Sequence, residues 1–177
     1  FLCCIPMAMP AAHLVAFCGD LGISASRGAL MLSVLTFAAF MARQFWGWLS
    51  DKIGGLWTVV FGSLAQILGM LGFLATQDEA GLFFIAAAYG LGFSGIIPAY
   101  VLTLRALFPA AEAHWRVPTL LFLSLSGMAA GAWLAGYIYD WLGFYAAAWW
   151  AGIGFNLIQF ALILFLLLRW RRGMAEG

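Results

Sequence analysis

Long apolar stretches alternate with short polar ones along the whole chain. Six of these stretches can each form a helix that crosses about 30 Å of hydrocarbon, allowing for tilt. They are Phe1–Cys18, Ala29–Leu49, Trp57–Ala75, Gly81–Leu104, Pro118–Tyr139 and Phe144–Leu168. The pattern predicts an all-α membrane protein with six transmembrane helices.

The composition supports this prediction, and the charge of the chain argues against a nucleic-acid partner. Hydrophobic residues make up 66% of the chain and charged residues 8%, whereas soluble domains carry about 25% charged residues. The lipid bilayer is therefore the expected surrounding of the chain. The formal net charge is +1, and the largest basic group is Arg169, Arg171 and Arg172. Because this is a small basic group, we expect no nucleic-acid partner.

The charges of the loops predict how the helices are oriented. Lys and Arg are retained on the cytoplasmic side of membranes. With both ends of the chain inside, Arg27 is the only loop cation that faces outward. The inner cations are then Lys52, Arg105, Arg116, Arg169, Arg171 and Arg172, and the outer acids are Asp20, Asp78, Glu79 and Asp140. We expect a multi-pass protein of the plasma membrane whose two ends are cytoplasmic.

A short polar segment, Gly47–Gly55, separates the second and third apolar stretches. Gly47 has no Cβ, so another helix backbone can approach it closely. Asp51 and Lys52 must lie at a water boundary, because a charge in hydrocarbon costs several kcal/mol. Gly54 and Gly55 allow the positive φ of a tight turn. The segment predicts a turn at the membrane edge.

The second stretch carries an arginine about 12 Å inside this turn. At 100° per residue, Arg43 falls on a polar stripe that covers about a third of the helix circumference. The stripe consists of Ser33, Thr36, Ala39, Arg43, Gly47 and Ser50. Three interpretations are open for Arg43: its side chain reaches the inner headgroups, it pairs with another helix, or it binds a carboxylate in a water-filled cavity through its planar fork.

The turn also resembles a known family motif. Four of its residues carry the resemblance: Gly47, Asp51, Lys52 and Gly54. Their spacing resembles the signature loop of the major facilitator superfamily. Members of this superfamily are twelve-helix secondary transporters with one copy of the motif in each half. Leu56 and Trp57 stand where further basic residues are common, which is typical of the second copy. The resemblance implies that residues 1–177 form the C-terminal six-helix half. Because the chain starts at Phe1 inside an apolar stretch, we interpret it as a fragment that lacks the N-terminal half.

Ala42–Gly47, together with His13–Ile23, resembles the monocarboxylate transporters and the related oxalate and formate exchangers. This resemblance implies that Arg43 binds the substrate carboxylate. Two positions depart from that branch. Ala39 stands where animal members have a proton-coupling Asp, and Pro118–Tyr139 contains no Lys or Arg to bind a second carboxylate. A small organic anion with one carboxylate is therefore the expected substrate. H⁺ is a candidate for the ion that is transported with it.

His13 and Asp20 are the candidates for proton coupling. Pro6, Pro10, His13 and Asp20 are spaced so that a helix places them on one side. A bent helix with such a stripe suits a cavity wall. The alternative for His13 is structural: a lone histidine in a membrane helix often bonds the backbone of a neighbouring helix.

The later stretches suggest packing more than chemistry. Gly90-Leu-Gly92-Phe-Ser-Gly95 matches a dinucleotide fingerprint, but that motif needs a preceding strand; with Pro98 it instead predicts a bent helix. Tyr100 and Thr103 are candidates for hydrogen bonds to a substrate. The loop Arg105–Val117 predicts a short surface helix with a Glu112–Arg116 ion pair.

Three further expectations concern the last two helices. Pro118 is expected in the first turn of the fifth helix. The stripe Gly127–Gly131 predicts close helix packing, either inside the bundle or between two copies. The sixth helix, whose only amides are Asn156 and Gln159, is expected to face lipid.

No residue pattern predicts an enzyme. The sequence has no Ser/His/Asp arrangement, no His-Glu-x-x-His and no carboxylate pair within a helix. The cysteines, Cys3, Cys4 and Cys18, lack the spacing of metal ligands, so we predict no metal and no other cofactor. The predicted function is secondary transport of small organic anions by alternating access, proton-coupled or by exchange. The alternatives are transport of a drug, sugar or nitrogen compound, and a non-transporting scaffold.

Overall fold

The structure is a computed structural model that describes the backbone of residues 1–175 and the side chains as far as Arg169. The described backbone is helical and contains no strand. Its α-helices are α1 (Cys4–Asp20), α2 (Ala25–Ile53), α3 (Gly55–Ala75), α4 (Glu79–Phe93), α5 (Ile96–Leu107), α6 (Ala113–Leu142) and α7 (Tyr145–Ala175), and a 3₁₀ turn covers Ala110–Glu112. The all-α prediction is confirmed.

The helices form six apolar spans. Five of the spans are long and apolar enough to cross a membrane, with α4 and α5 together forming one of them. The sixth, α1, has 17 residues, or about 25 Å of helix. Successive spans run in opposite directions, so the loops between them lie at two opposite ends of the bundle. The basic end carries Lys52, Arg105, Arg116 and Arg169, and the acidic end carries Asp20, Asp78, Glu79 and Asp140. Arg171 and Arg172 lie outside the described side chains.

The turn between α2 and α3 is tighter than the sequence predicted. Helix α2 continues through Asp51 and Lys52 to Ile53, and Gly54 alone makes the turn with φ of 86°. Gly55 already begins α3. A Cβ at Gly55 would collide with the Thr103 hydroxyl and lie 2.6 Å from the Ala99 carbonyl, so its role is close packing against α5. The expected role of both glycines in the turn is correct for Gly54 only.

Glycines also let α1 and α6 pack backbone to backbone. A Cβ at Gly131 would collide with the carbonyl oxygen of Ile5, and one at Gly127 with that of Phe1. The Gly127–Gly131 stripe therefore packs inside the bundle. Helix α6 begins at Ala113, so Pro118 lies inside it and not in its first turn as expected. The 3₁₀ turn Ala110–Glu112 precedes it, and the predicted ion pair is present: Arg116 Nε donates to the Glu112 carboxylate at 2.6 Å.

The fourth span is interrupted, as its glycines and proline predicted. Helix α4 ends at Phe93 and α5 begins at Ile96. Pro98 has no N–H to donate to Ser94, one turn earlier. The indole N–H of Trp46 donates to the carbonyl of Leu91 at 2.6 Å. A side chain at Gly95 would collide with the Trp46 ring, so α2 packs directly against the break.

The bundle core contains a chain of polar side chains that the sequence did not predict. Asn156 Nδ2 donates to Gln66 Oε1 at 2.7 Å, and Ser63 Oγ donates to Gln159 Oε1 at 2.8 Å. All four residues are buried, and they join α3 to α7. The expectation that Asn156 and Gln159 lie on a purely lipid-facing helix is therefore wrong.

Candidate functional site

Arg43 lies on a face of α2 that packs against no other part of the described chain. Ala39, Ala42 and Trp46 are buried on the other side of the helix, where Trp46 bonds to α4. This packing fixes the rotation of α2. We call four exposed residues of α2, Ser33, Thr36, Phe40 and Arg43, the Arg43 face. It contains three of the six residues of the predicted polar stripe, because Ala39 and Ser50 are buried and Gly47 is half-buried.

Arg43 has no ion pair and no hydrogen bond within the described residues. The ion pairs among those residues lie near the span ends, where Arg27 pairs with Glu79 and Arg116 with Glu112. A structural pair with another helix of this chain, one of the three interpretations of Arg43, is therefore not observed. The guanidinium is exposed, and all five of its N–H donors remain available.

Thr36 and Ser33 lie about two and three turns, respectively, from Arg43 toward the acidic end. The Ser33 hydroxyl donates to Ala29 O at 2.9 Å, and the Thr36 hydroxyl donates to Leu32 O at 2.8 Å. Both hydroxyls are exposed. Their oxygens retain free lone pairs. The structure thus brings these two residues to the same helix face as Arg43.

Tyr100 does not lie on the Arg43 face. It lines a cavity of about 520 Å³ at the basic end, between the start of α1 and helices α5, α6 and α7. Its hydroxyl accepts a hydrogen bond from Gln159 Nε2 at 2.9 Å. Thr103 donates to Ala99 O at 2.8 Å and packs on Gly55. The structure does not bring either residue to the Arg43 face.

His13 joins three helices. Its Nε2 lies 2.8 Å from the carbonyl oxygen of Ala132 on α6, and its Nδ1 lies 3.2 Å from the hydroxyl of Tyr145 on α7. This is the backbone contact that the structural interpretation of His13 expected. The ring is half-buried, so part of it lies at the surface of the described chain.

Asp20 is connected to the His13–Tyr145 contact through a second tyrosine, Tyr139. The Tyr139 hydroxyl donates to Asp20 Oδ1 at 3.0 Å. The rings of Tyr139 and Tyr145 stack with their centroids 4.3 Å apart. Both proton-coupling candidates therefore belong to one cluster, which we call the tyrosine cluster: His13, Asp20, Tyr139 and Tyr145. The sequence did not single out the tyrosines, because aromatic residues at span ends are usual interfacial anchors.

The motif residues lie near or at the basic end. Asp51 and Lys52 are exposed on the last turn of α2 and form no ion pair within the described residues. Gly47 is half-buried, and a Cβ there would meet nothing within 4 Å. The close helix approach expected at Gly47 is therefore not made within the described residues.

Comparison with known proteins identifies the family. The sequence profile of the Major Facilitator Superfamily matches residues 1–176. The chain belongs to the Major Facilitator Superfamily. Members of the superfamily are transporters rather than enzymes, and six helices are half of its fold. The interrupted α4–α5 span and the Gly47–Gly54 motif thus belong to a facilitator half.

Two curated relatives narrow the comparison within the superfamily. Monocarboxylate transporter 13 of Bos taurus is 27% identical over 147 residues, and Monocarboxylate transporter 13 of Rattus norvegicus is 30% identical over 148 residues. Each alignment covers 79% of this chain and 33% of the relative. The chain spans about a third of the length of the curated relatives it matches.

Proposed function

We propose that this chain is the C-terminal half of a secondary transporter for small organic anions and that Arg43 binds the substrate carboxylate. The observation that carries the proposal is an exposed arginine without a partner on a membrane-spanning helix. A charge facing lipid at that depth costs at least about 3 kcal/mol. A water-filled cavity between two halves of the protein removes that cost.

The chemistry of the Arg43 face fits a carboxylate. A guanidinium offers two parallel N–H donors to the two oxygens of one carboxylate, which makes the pair directional as well as charged. Ser33 and Thr36 can add hydroxyl contacts from the same face. The names of the curated relatives, which describe them as monocarboxylate transporters, agree with a substrate that has one carboxylate.

The transport cycle follows from the proposed position of the site. The six-helix half rocks against an N-terminal half around a site near the middle of the membrane. Uptake is proton-coupled or occurs by exchange, with His13 and Asp20 as the proton-binding candidates. The motif Gly47, Asp51, Lys52 and Gly54 stabilises one conformation at the cytoplasmic face. The basic end is cytoplasmic in the plasma membrane, because Lys and Arg are retained on that side.

Conservative replacement of Arg43 tests the proposal. The full-length protein is reconstituted in proteoliposomes, and uptake of labelled lactate and labelled oxalate is measured with and without an inward proton gradient. Arg43→Lys keeps the charge but loses the fork, so we expect lactate uptake to fall at least about tenfold, a loss of about 1.4 kcal/mol. Gradient dependence distinguishes symport from exchange, and the preferred label distinguishes mono- from dicarboxylate.

Arg105→Lys is the matched control, because Arg105 is exposed near the end of α5. Its uptake should equal that of the unsubstituted protein. Equal uptake by Arg43→Lys and Arg105→Lys would show that Arg43 does not bind the carboxylate. Uptake of neither acid would reject the carboxylate class, and a panel of sugars, drugs and nitrogen compounds would then identify another solute. No flux of any solute would favour the scaffold.

A further inference from the structure

The tyrosine cluster contains one hydrogen bond whose direction is fixed by chemistry. The carbonyl oxygen of Ala132 can only accept, so the His13 Nε2 that lies 2.8 Å from it must carry a proton. In the neutral imidazole, Nδ1 is then an acceptor, and the Tyr145 hydroxyl donates to it at 3.2 Å. The backbone of α6 thus selects the tautomer of His13.

A second proton can enter the imidazole only at Nδ1. When that nitrogen takes a proton from a hydronium ion, the N–H bond forms, an O–H bond of the hydronium breaks to leave water, and the ring becomes a cation. Tyr145 can then no longer donate to Nδ1; its hydroxyl rotates, its oxygen accepts from the new N–H, and its own proton remains on the oxygen and turns away. No other covalent bond in the protein forms or breaks.

We propose that Tyr145 is the positioning residue of a protonation step at His13, with its hydroxyl holding Nδ1 in both protonation states. The role rests on the proposed proton-coupled transport, because it supplies that transport with a defined proton-accepting atom. Tyr145 is buried, with an exposed fraction of 5%. Phe17 and Trp149 contact its ring at right angles and in parallel, respectively, so its hydroxyl is held where His13 needs it.

Other titratable groups lie at the same end of the bundle as His13. Helix α1 contributes Asp20, and α6 contributes Tyr139, which donates to Asp20, and the exposed Asp140. Helix α7 contributes Tyr145 itself. Helix α2 contributes Arg27, which pairs with Glu79, and Asp78 accepts from the first turn of α4. The stacked rings of Tyr139 and Tyr145 connect Asp20 to the His13 contact.

Nitrogen NMR of histidine tests the tautomer without any transport assay. The chain has two histidines, and a His114→Asn background of the full-length protein in lipid nanodiscs leaves His13 as the only histidine in this half. We expect a single neutral tautomer with its proton on Nε2. A neutral form with the proton on Nδ1, or an equal mixture of tautomers, would overturn the inference in the protein without any change at Tyr145.

Tyr145→Phe then tests the positioning role. The hydroxyl bonds more strongly to the charged ring than to the neutral one, because charge-assisted hydrogen bonds are about twice as strong. Its removal should move the nitrogen resonance of the neutral Nδ1 toward that of a nitrogen without a hydrogen-bond donor, because the Tyr145 hydroxyl is the donor to that atom. The Tyr137→Phe control, an exposed tyrosine stacked on Trp133, should leave that resonance unchanged. An Nδ1 resonance that is the same in all three proteins would refute the role of Tyr145.

Lactate uptake measured across pH separates this inference from the proposed function. With proton coupling through His13, loss of the hydroxyl that holds Nδ1 shifts the pH profile of lactate uptake toward lower pH. A merely structural role lowers uptake equally at every pH and would contradict the inference. Absence of lactate uptake in the unsubstituted protein rejects the proposed function, whereas the NMR result still decides the tautomer and the role of Tyr145.

Discussion

At the scale of single residues, Gln66 shows how the core combines hydrophobicity with polar pairing. It is fully buried on α3. Its amide nitrogen donates to Cys3 O at 3.3 Å and to the Tyr89 hydroxyl at 3.4 Å, and its carbonyl oxygen accepts from Asn156. Tyr89 in turn donates to Pro6 O at 2.8 Å, a carbonyl left without a helical partner because Pro10 has no N–H. One amide thus connects α1, α3, α4 and α7.

Replacing Gln66 by Leu should destabilise the bundle by about 1–2 kcal/mol, because the Asn156 amide then has no partner. Thermal unfolding in nanodiscs measures the change. The double variant Gln66→Leu/Asn156→Leu removes both partners and should cost less than the two single variants added together. Strictly additive losses would mean that the Gln66–Asn156 contact contributes nothing.

The residues of this network show which features of the structure could not be predicted from the sequence. Asn156 and Gln159 lie on a helix that is apolar on every side, so no amphipathic period indicates which side is inward. The Arg43 face was predictable, because a polar stripe within an apolar stretch has few explanations. The proposed role of Tyr145 was not predictable, since Tyr145 contacts a histidine 132 positions away in the chain. Only the packing of α1 against α6 and α7 brings the two residues together.

At the scale of helices, glycine determines how closely α1 and α6 approach. A Cβ at Gly131 would collide with the Ile5 backbone. The two helices can therefore approach this closely only because residue 131 has no side chain. The same contact keeps Ala132 within reach of His13. The sequence predicted this stripe but left its partner open, because small-residue spacing permits close approach without naming the helix that approaches.

Gly131→Ala should therefore destabilise the bundle by about 1–3 kcal/mol through overpacking. Gly154→Ala on α7 is the control, because a Cβ there meets nothing within 4 Å; it should be neutral or slightly stabilising, since Ala favours helix. Thermal unfolding of both variants provides the comparison. If the two variants unfold at the same temperature, the close approach at Gly131 does not limit stability.

Helix boundaries were predictable where they coincide with a change in hydropathy. Gly54 ends α2 and the Ser94–Gly95 break interrupts the fourth span, both near the predicted positions. The start of α6 was missed because Ala113–Val117 is amphipathic and polar. In the structure, Arg116 pairs with Glu112, and its guanidinium lies 3.8 Å from the centre of the Phe108 ring.

At the scale of the whole molecule, the two ends differ in charge, and this difference predicts orientation. Gln77→Cys and Ala106→Cys place a thiol at exposed, uncharged positions of the acidic and basic ends, respectively. The native cysteines are buried, so background labelling should be low. In intact cells, a membrane-impermeant maleimide should label Gln77→Cys only. Ala106→Cys should react after permeabilisation, and the reverse pattern would invert the proposed orientation.

The polar contacts between α3 and α7 also imply an order of assembly. The ribosome makes α3 well before α7, so Ser63 and Gln66 enter the membrane before Gln159 and Asn156 exist to pair with them. Until then, these side chains are polar groups without their final partners in lipid, which costs free energy. Insertion of the last helix completes the pairing. A chain truncated before α7 would leave Ser63 and Gln66 without these partners.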